Sequence, residues 1–164
     1  MTRPLDPAET AHWTAWKRAH ETVLEAIGEE IRQAAGISVA DFSILSRVIE
    51  NGGGRMPQHE LGAMLGWKRA RLSRQLTRMA ERGLLRREPG TGRQQLIAVT
   101  PQGDSALAAA RPAHARAVRR TLLRLTAASG GSGFWETVHE IAAGTRETAQ
   151  PPQARASAPD TQDD

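Results

Sequence analysis

The 164-residue chain contains no cysteine. That excludes a disulfide framework, a thiolate zinc site, an iron–sulfur cluster and a thiol redox switch. Long hydrophobic runs are missing too. The longest unbroken apolar stretch is ALAAA at 106–110, far short of the ~20 residues that span a bilayer. The N-terminus, MTRPLDPAE, has no apolar segment behind a basic start. No signal peptide is read there, and the expected location is cytoplasmic. Lysine is scarce, so the pI of 10.8 rests on arginine, a side chain suited to bidentate contact with phosphate and guanine. The length and the 39% hydrophobic content fit one globular domain with a real core.

What the chain does have is charge of one sign in one place. Residues 66–87, GWKRARLSRQLTRMAERGLLRR, hold eight basic residues and a single acid, Glu81. That is a net +7 within a chain of net +4, which leaves −3 for the remainder. On a helical wheel Leu72, Leu76, Met79 and Ala80 share one side, and Arg71, Arg74, Arg78 and Arg82 gather opposite. A charge run is commonly just a solvated face. A solvated face usually mixes signs to gain i,i+4 pairs, however, whereas here arginines four apart repel. A polyanion facing the stripe would offset that repulsion.

The flanking segments supply a context. Asp6, Pro7 and Glu9 read as a helix start, and Trp13, Trp16, His20, Val23, Leu24, Ile27 and Ile31 recur at helical spacing until Gly36. Ser38 and Asp41 cap a second helix with Phe42, Leu45, Val48 and Ile49 on its apolar face, stopped by NGGG at 51–54. Pro57 opens a short third helix, with Leu61, Met64 and Leu65 inward and Gly66 at its end. The basic helix runs from about Lys68 to Arg82. LLRRE (84–88) and QLIAV (95–99) then read as a two-stranded hairpin around PGTGR. Thr100-Pro101 starts a long helix to about residue 127, ASGGSG turns, and a short helix carries Phe134, Trp135, Val138, Ile141 and Ala142. From Arg146 the chain loses apolar periodicity and reads as disordered.

A short helix, a glycine turn and a second helix with basic residues near its start form a helix-turn-helix, whose second helix enters the major groove. The hairpin adds a wing, with Arg93 near its tip, where a narrow minor groove attracts arginine. The stretches LGWKRARLSRQLTRMAERGLLRR and VTPQG, in this order of elements, resemble the MarR family of winged-helix transcription regulators in its actinobacterial-like form. The resemblance runs from about residue 8 to 145.

It implies a mostly α fold with a small β-hairpin wing, a winged helix-turn-helix core at 36–103 flanked by dimerisation helices at 6–35 and 104–147. The domain would span 1–147, followed by a disordered tail at 148–164. The expected partners are double-stranded DNA, a second copy of the chain and a small-molecule effector, with no membrane and no cofactor. The DNA-binding residues would be Lys68, Arg69, Arg71, Ser73, Arg74, Arg78 and Arg93, with Arg71, Ser73 and Arg74 at base edges. Many members carry Asp-x-Arg at the wing tip; here Thr91 stands at the Asp position. The N-cap serine common at the start of the recognition helix is also missing, and Lys68 takes its place. Such a protein would be a repressor on a pseudo-palindromic operator, released by an aromatic or phenolic ligand. An architectural DNA-binding or protein-interaction module without an operator is the alternative.

Residues 6–32 carry a net −3 and residues 101–125 a net +4. Arg111, Arg116, Arg119, Arg120 and Arg124 are therefore expected to pair with Glu21, Glu25, Glu29 and Glu30; a second nucleic-acid surface is the sharper reading. Trp13, Trp16 and His20 share a face that fits an interface core or, alternatively, an effector pocket. His59-Glu60 begins like a zinc-protease helix, but Ala63 removes the second ligand. GGGR and GTGR lack the Lys-Ser/Thr of a phosphate loop. No catalytic constellation is visible, and an enzyme is not expected.

Overall fold

The computed structural model describes residues 3–92, 94–128 and 132–147. Its elements are α1 (Pro7–Ala35), α2 (Val39–Gly52), β1 (Arg55–Pro57), α3 (Gln58–Leu65), α4 (Arg69–Glu81), β2 (Leu85–Pro89), β3 (Gln95–Val99), α5 (Pro101–Val118), a π-helical segment (Arg119–Leu123), α6 (Arg124–Ala128) and α7 (Ser132–Glu147). The fold is mostly helical with a small antiparallel sheet, as expected. The described residues fall into two compact units, the first ending at Arg124 and the second beginning at Leu125. The expected tail at 148–164, Arg93 and residues 129–131 of the ASGGSG turn lie outside the described residues.

Local hydrogen bonding sets the helix ends. The Asp6 carboxylate accepts from the Glu9 N–H at 2.9 Å, and Glu9 accepts from the Asp6 N–H at 2.8 Å. This reciprocal box satisfies donors that the first helical turn leaves free. Ser38 and Asp41 repeat it at the start of α2, at 3.1 and 2.9 Å. Between them Gly36 adopts the left-handed conformation that ends α1, with φ 65°. Only the C-terminal part of α1 enters the core, through Ile27 and Ile31. Trp13, Trp16 and Leu24 stay exposed.

The core gathers Ile31, Ile44, Leu45, Leu61, Leu76 and Ile97. Two inward assignments change. Met64 of α3 is 48% exposed, and Ile44, not on the expected apolar face of α2, is fully buried. The wing is a three-stranded sheet in the order β1-β3-β2 and not a two-stranded hairpin. β1 pairs antiparallel with β3, setting Met56 opposite Ile97. Its three residues are too few to show alternation, and a proline within them mimics a helix start.

The junction of α4, wing and α5 explains the TPQG motif. Thr100 Oγ1 donates to the Gly83 carbonyl at 2.6 Å and accepts from the Gly103 N–H at 3.1 Å. Gly103 itself lies against the Leu84 carbonyl, and a Cβ there would come within 2.0 Å of that oxygen. The long helix expected from Thr100 to about 127 keeps its extent but changes type, passing through the π-helical segment after Val118. In the second unit, α7 carries Phe134 and Trp135 in edge-to-face contact at 5.0 Å, with Phe134 and Ile141 exposed.

Candidate nucleic-acid interface

Helix α4 is built to show one side. Leu72, Gln75, Leu76 and Met79 are buried, while Arg69, Arg71, Arg74, Thr77 and Arg78 are exposed. Gly66, with φ 62°, turns the chain out of α3, and Lys68 is the N-cap of α4 without a side-chain cap bond. The absence of a capping serine is thus observed, and it leaves the first N–H groups of α4 open to an anion.

The eight basic residues separate into two groups. Lys68, Arg69 and Arg74 meet no carboxylate among the described residues. The Arg71 guanidinium stacks over the Trp67 ring, 4.1 Å from its centroid. Arg78 donates through Nη2 to Gln75 Oε1. These five form the outward basic surface. The other three serve the fold. Arg82, expected on the outward stripe, turns back: Nη1 donates to Asp41 Oδ2 and Nη2 to the Gly36 carbonyl, both at 2.8 Å. Arg87 ties β2 to α4, donating to the Ser73 carbonyl at 3.0 Å and to Thr77 Oγ1 at 3.1 Å. Arg86 donates to Glu88 at 2.6 Å, and Arg55 reaches the same carboxylate. The Arg86 hydrogen bond, with both positive charges, holds the Glu88 carboxyl below its usual range.

Ser73 is half-buried on α4, its carbonyl already bonded to Arg87 and Thr77. At the wing tip the Gly90 N–H donates to the Gln94 carbonyl at 2.9 Å, and Gly92 takes a φ of 63°.

Sequence reasoning missed Gln75 and Trp67, and it read Asp41 only as a helix cap. Asp41 is fully buried and is the anchor of Arg82. Burial alone would raise its carboxyl, but hydrogen bonds from the Ser38 N–H and from Arg82 outweigh it and hold the pKa below the usual value. A signal for Gln75 was available: an amide on an otherwise apolar helix face needs a partner inside.

Two depressions open on the surface. A cleft of about 830 Å³ lies between α3, the start of α4 and the wing, lined among others by His59, Trp67, Arg69 and Gln94. A cavity of about 500 Å³ lies between α1, α2 and α5. Phe42 and His114 stack in its wall, 4.7 Å apart, and Arg47, Arg111 and Glu50 also line it. Burial pushes the His114 pKa down. The residues expected to line an effector pocket, Trp13, Trp16 and His20, line neither depression; all three are exposed on the N-terminal part of α1. Of the expected ion pairs, Arg116 and Arg120 meet Glu30, while Arg111 meets Glu50. Arg119 and Arg124 meet no carboxylate among the described residues. Among those residues no cluster of His, Asp and Glu could hold a metal, and no helix is long and apolar enough to cross a membrane.

Residues 35–94 match the model of the MarR family. No curated protein matches the chain. Among solved structures the chain is similar to AbsC, a MarR family transcriptional regulator from Streptomyces coelicolor, at 26% identity and a TM-score of 0.78 over 89% of this chain and 99% of that one. It is similar to Sco3205, another MarR family regulator from that organism, solved in complex with DNA, at 26% identity and 0.80 over 96% and 98%. It is also similar to the M. tuberculosis transcriptional regulator MOSR in complex with DNA, at 25% identity and 0.63 over 84% and 97%.

Proposed function

We propose that the protein, whose residues 35–94 match the MarR family model and whose fold is similar to that of a MarR family regulator solved with DNA, is a DNA-binding transcriptional regulator, a repressor that sits as a homodimer on a pseudo-palindromic operator. The observation that carries this reading is the outward set on α4: Lys68, Arg69, Arg71, Arg74 and Arg78, on a helix whose opposite side is buried. Exposed cations of one sign on a rigid helix fit the phosphate rails and guanine edges of a major groove. Arg71, Ser73 and Arg74 take the base edges, Arg78 a phosphate and Arg93 the minor groove. Residues 36–103 read DNA, and helices within 6–35 and 104–147 join two copies. The exposed Trp13, Trp16 and Leu24 of α1, and Phe134 and Ile141 of α7, are apolar area that a second copy would cover. The two recognition helices would then stand about one DNA turn, ~34 Å, apart.

Release falls to a small aromatic or phenolic anion. The cavity between α1, α2 and α5 supports this more than the tryptophans do, since its lining joins stacked Phe42 and His114 to two arginines. With no cysteine in the chain, peroxide has no thiol to act on.

Selection of bound fragments from the DNA upstream of the protein's own gene neighbourhood tests the reading. The expected result is one palindromic site, bound ~10³-fold or more above random duplex, with affinity falling steeply as salt rises. Equal affinity for selected and random DNA would leave an architectural module, and salt-insensitive binding would remove α4 from the DNA backbone.

A further inference from the structure

Gln75 is 8% exposed on the inward face of α4, between Leu72, Leu76 and Met79. Its partner is Asp41, fully buried at the start of α2. Gln75 Nε2 donates to Asp41 Oδ1 at 2.6 Å. The other carboxylate oxygen, Oδ2, is occupied by the Ser38 N–H at 2.9 Å and Arg82 Nη1 at 2.8 Å.

A side-chain amide can be turned either way, and its neighbours decide which. An ionised carboxylate only accepts. Asp41 therefore draws the NH₂ of Gln75 inward, and the amide oxygen is left pointing away from the core. That oxygen receives Arg78 Nη2 from one turn further along α4. A buried negative charge below the helix is thus linked, through one amide, to a cation on the outer surface. Exposed Arg74 is the contrast, on the same surface with no such partner among the described residues.

We propose that Asp41 and Gln75 are positioning residues for Arg78: the ionised carboxylate sets the direction of the amide, and the amide holds the guanidinium on the DNA-facing rim before DNA arrives. The proposal rests on the reading of α4 as the DNA-binding helix. An arginine free in water must be ordered on binding, and holding it in advance saves about three- to tenfold in affinity. Arg82, one turn on, shows the other use of the same carboxylate, since it is drawn away from the outer surface.

The test is a pair of double-mutant cycles in the full chain, read by binding to a mixed-sequence duplex long enough for two half-sites. Such DNA suffices because phosphate contacts do not depend on sequence. Gln75→Met keeps length and packing but removes both links. It should weaken binding about three- to tenfold, and that loss should vanish in an Arg78→Ala background while persisting in an Arg74→Ala background. Asp41→Asn can present either amide atom to Gln75, so it should give a loss that also vanishes with Arg78→Ala. It provides the second route if Gln75→Met folds poorly by thermal unfolding. In free protein the Arg78 Nε–H resonance should broaden in both variants. Equal losses in all backgrounds would mean that Gln75 acts on the helix as a whole, which overturns the proposal. If Arg78→Ala leaves affinity unchanged while Arg74→Ala lowers it, the positioning role falls and the DNA-binding reading stands. If neither lowers it, both fall.

Discussion

Gly103→Ala should destabilise this protein although the change replaces glycine by the best helix former. Position 103 lies in the first turn of α5, inside the helix. Propensity alone predicts a gain of about 1 kcal/mol from the substitution. The packing predicts the reverse. The new Cβ would sit 2.0 Å from the Leu84 carbonyl oxygen and 3.0 Å from Val99 Cγ1. The near atom belongs to the backbone, and it already accepts from the Thr100 N–H at 3.2 Å, so it cannot swing aside as a side chain would. Relief requires α5 to back away from the base of β2. That movement pulls on the Thr100 bonds to Gly83 and Gly103. Overpacking of this kind costs about 1–3 kcal/mol, and a weakened threonine cap adds about 1 kcal/mol. Subtracting the propensity gain leaves a net loss of about 1–3 kcal/mol. For a chain of this size that lowers the unfolding midpoint by about 2–4 °C per kcal/mol. Urea unfolding and a thermal scan measure it directly. A variant as stable as the parent, or more stable, would refute the steric reasoning.

Asp41→Ala should cost about 2–5 kcal/mol: about 1 for the cap, about 1–3 for the Gln75 donor left buried, and under about 1 for the pair with Arg82, whose side chain is 44% exposed. Since the folded-state pKa of Asp41 is held below its usual 3.8, its contribution is complete above that pH and is lost as acid carries the solution through the folded pKa; parent and variant should converge in acid urea titrations. His114 has the opposite chemistry but the same direction. Its folded pKa lies below 6.5, so the unfolded chain takes up a proton first and stability should fall as pH drops below that value; His114→Gln should flatten this part of the profile, and an unchanged slope would exclude the residue. Trp67→Ala should release Arg71 from its ring and weaken preference at one operator base pair, with Trp67→Phe retaining most of it; equal base preference in all three proteins would show that the stacking does not position Arg71.

Charge counting located the basic helix but not the fate of each arginine. Arg74 and Arg82 look alike along the chain, two turns apart on one helix. Arg82 turns inward because Asp41, 41 residues earlier, lies beneath the end of α4. Arg87 looks like part of the wing's charge, yet it bonds across to Ser73 and Thr77. β1 escaped notice for a related reason, since its three residues become a strand only by pairing with β3 some forty residues later. Trp13, Trp16 and His20 share a helix face, as their spacing requires, but spacing does not say whether a cavity lies beside that face.

Residue type and spacing alone set whatever depends on neighbours three or four residues apart. Asp6 with Glu9, Ser38 with Asp41 and Thr100 with Gly103 close their hydrogen bonds within one helical turn, so helix starts were legible from residue type and spacing. The apolar and basic sides of α4 were legible for the same reason, because helical geometry alone sorts them. Long-range packing settles which cations remain outside, which amide faces a carboxylate, and why a helical glycine is required at 103. Those outcomes depend on which distant segment packs against a side chain, and a buried charge or a backbone carbonyl acts only on what the fold brings within a few ångströms.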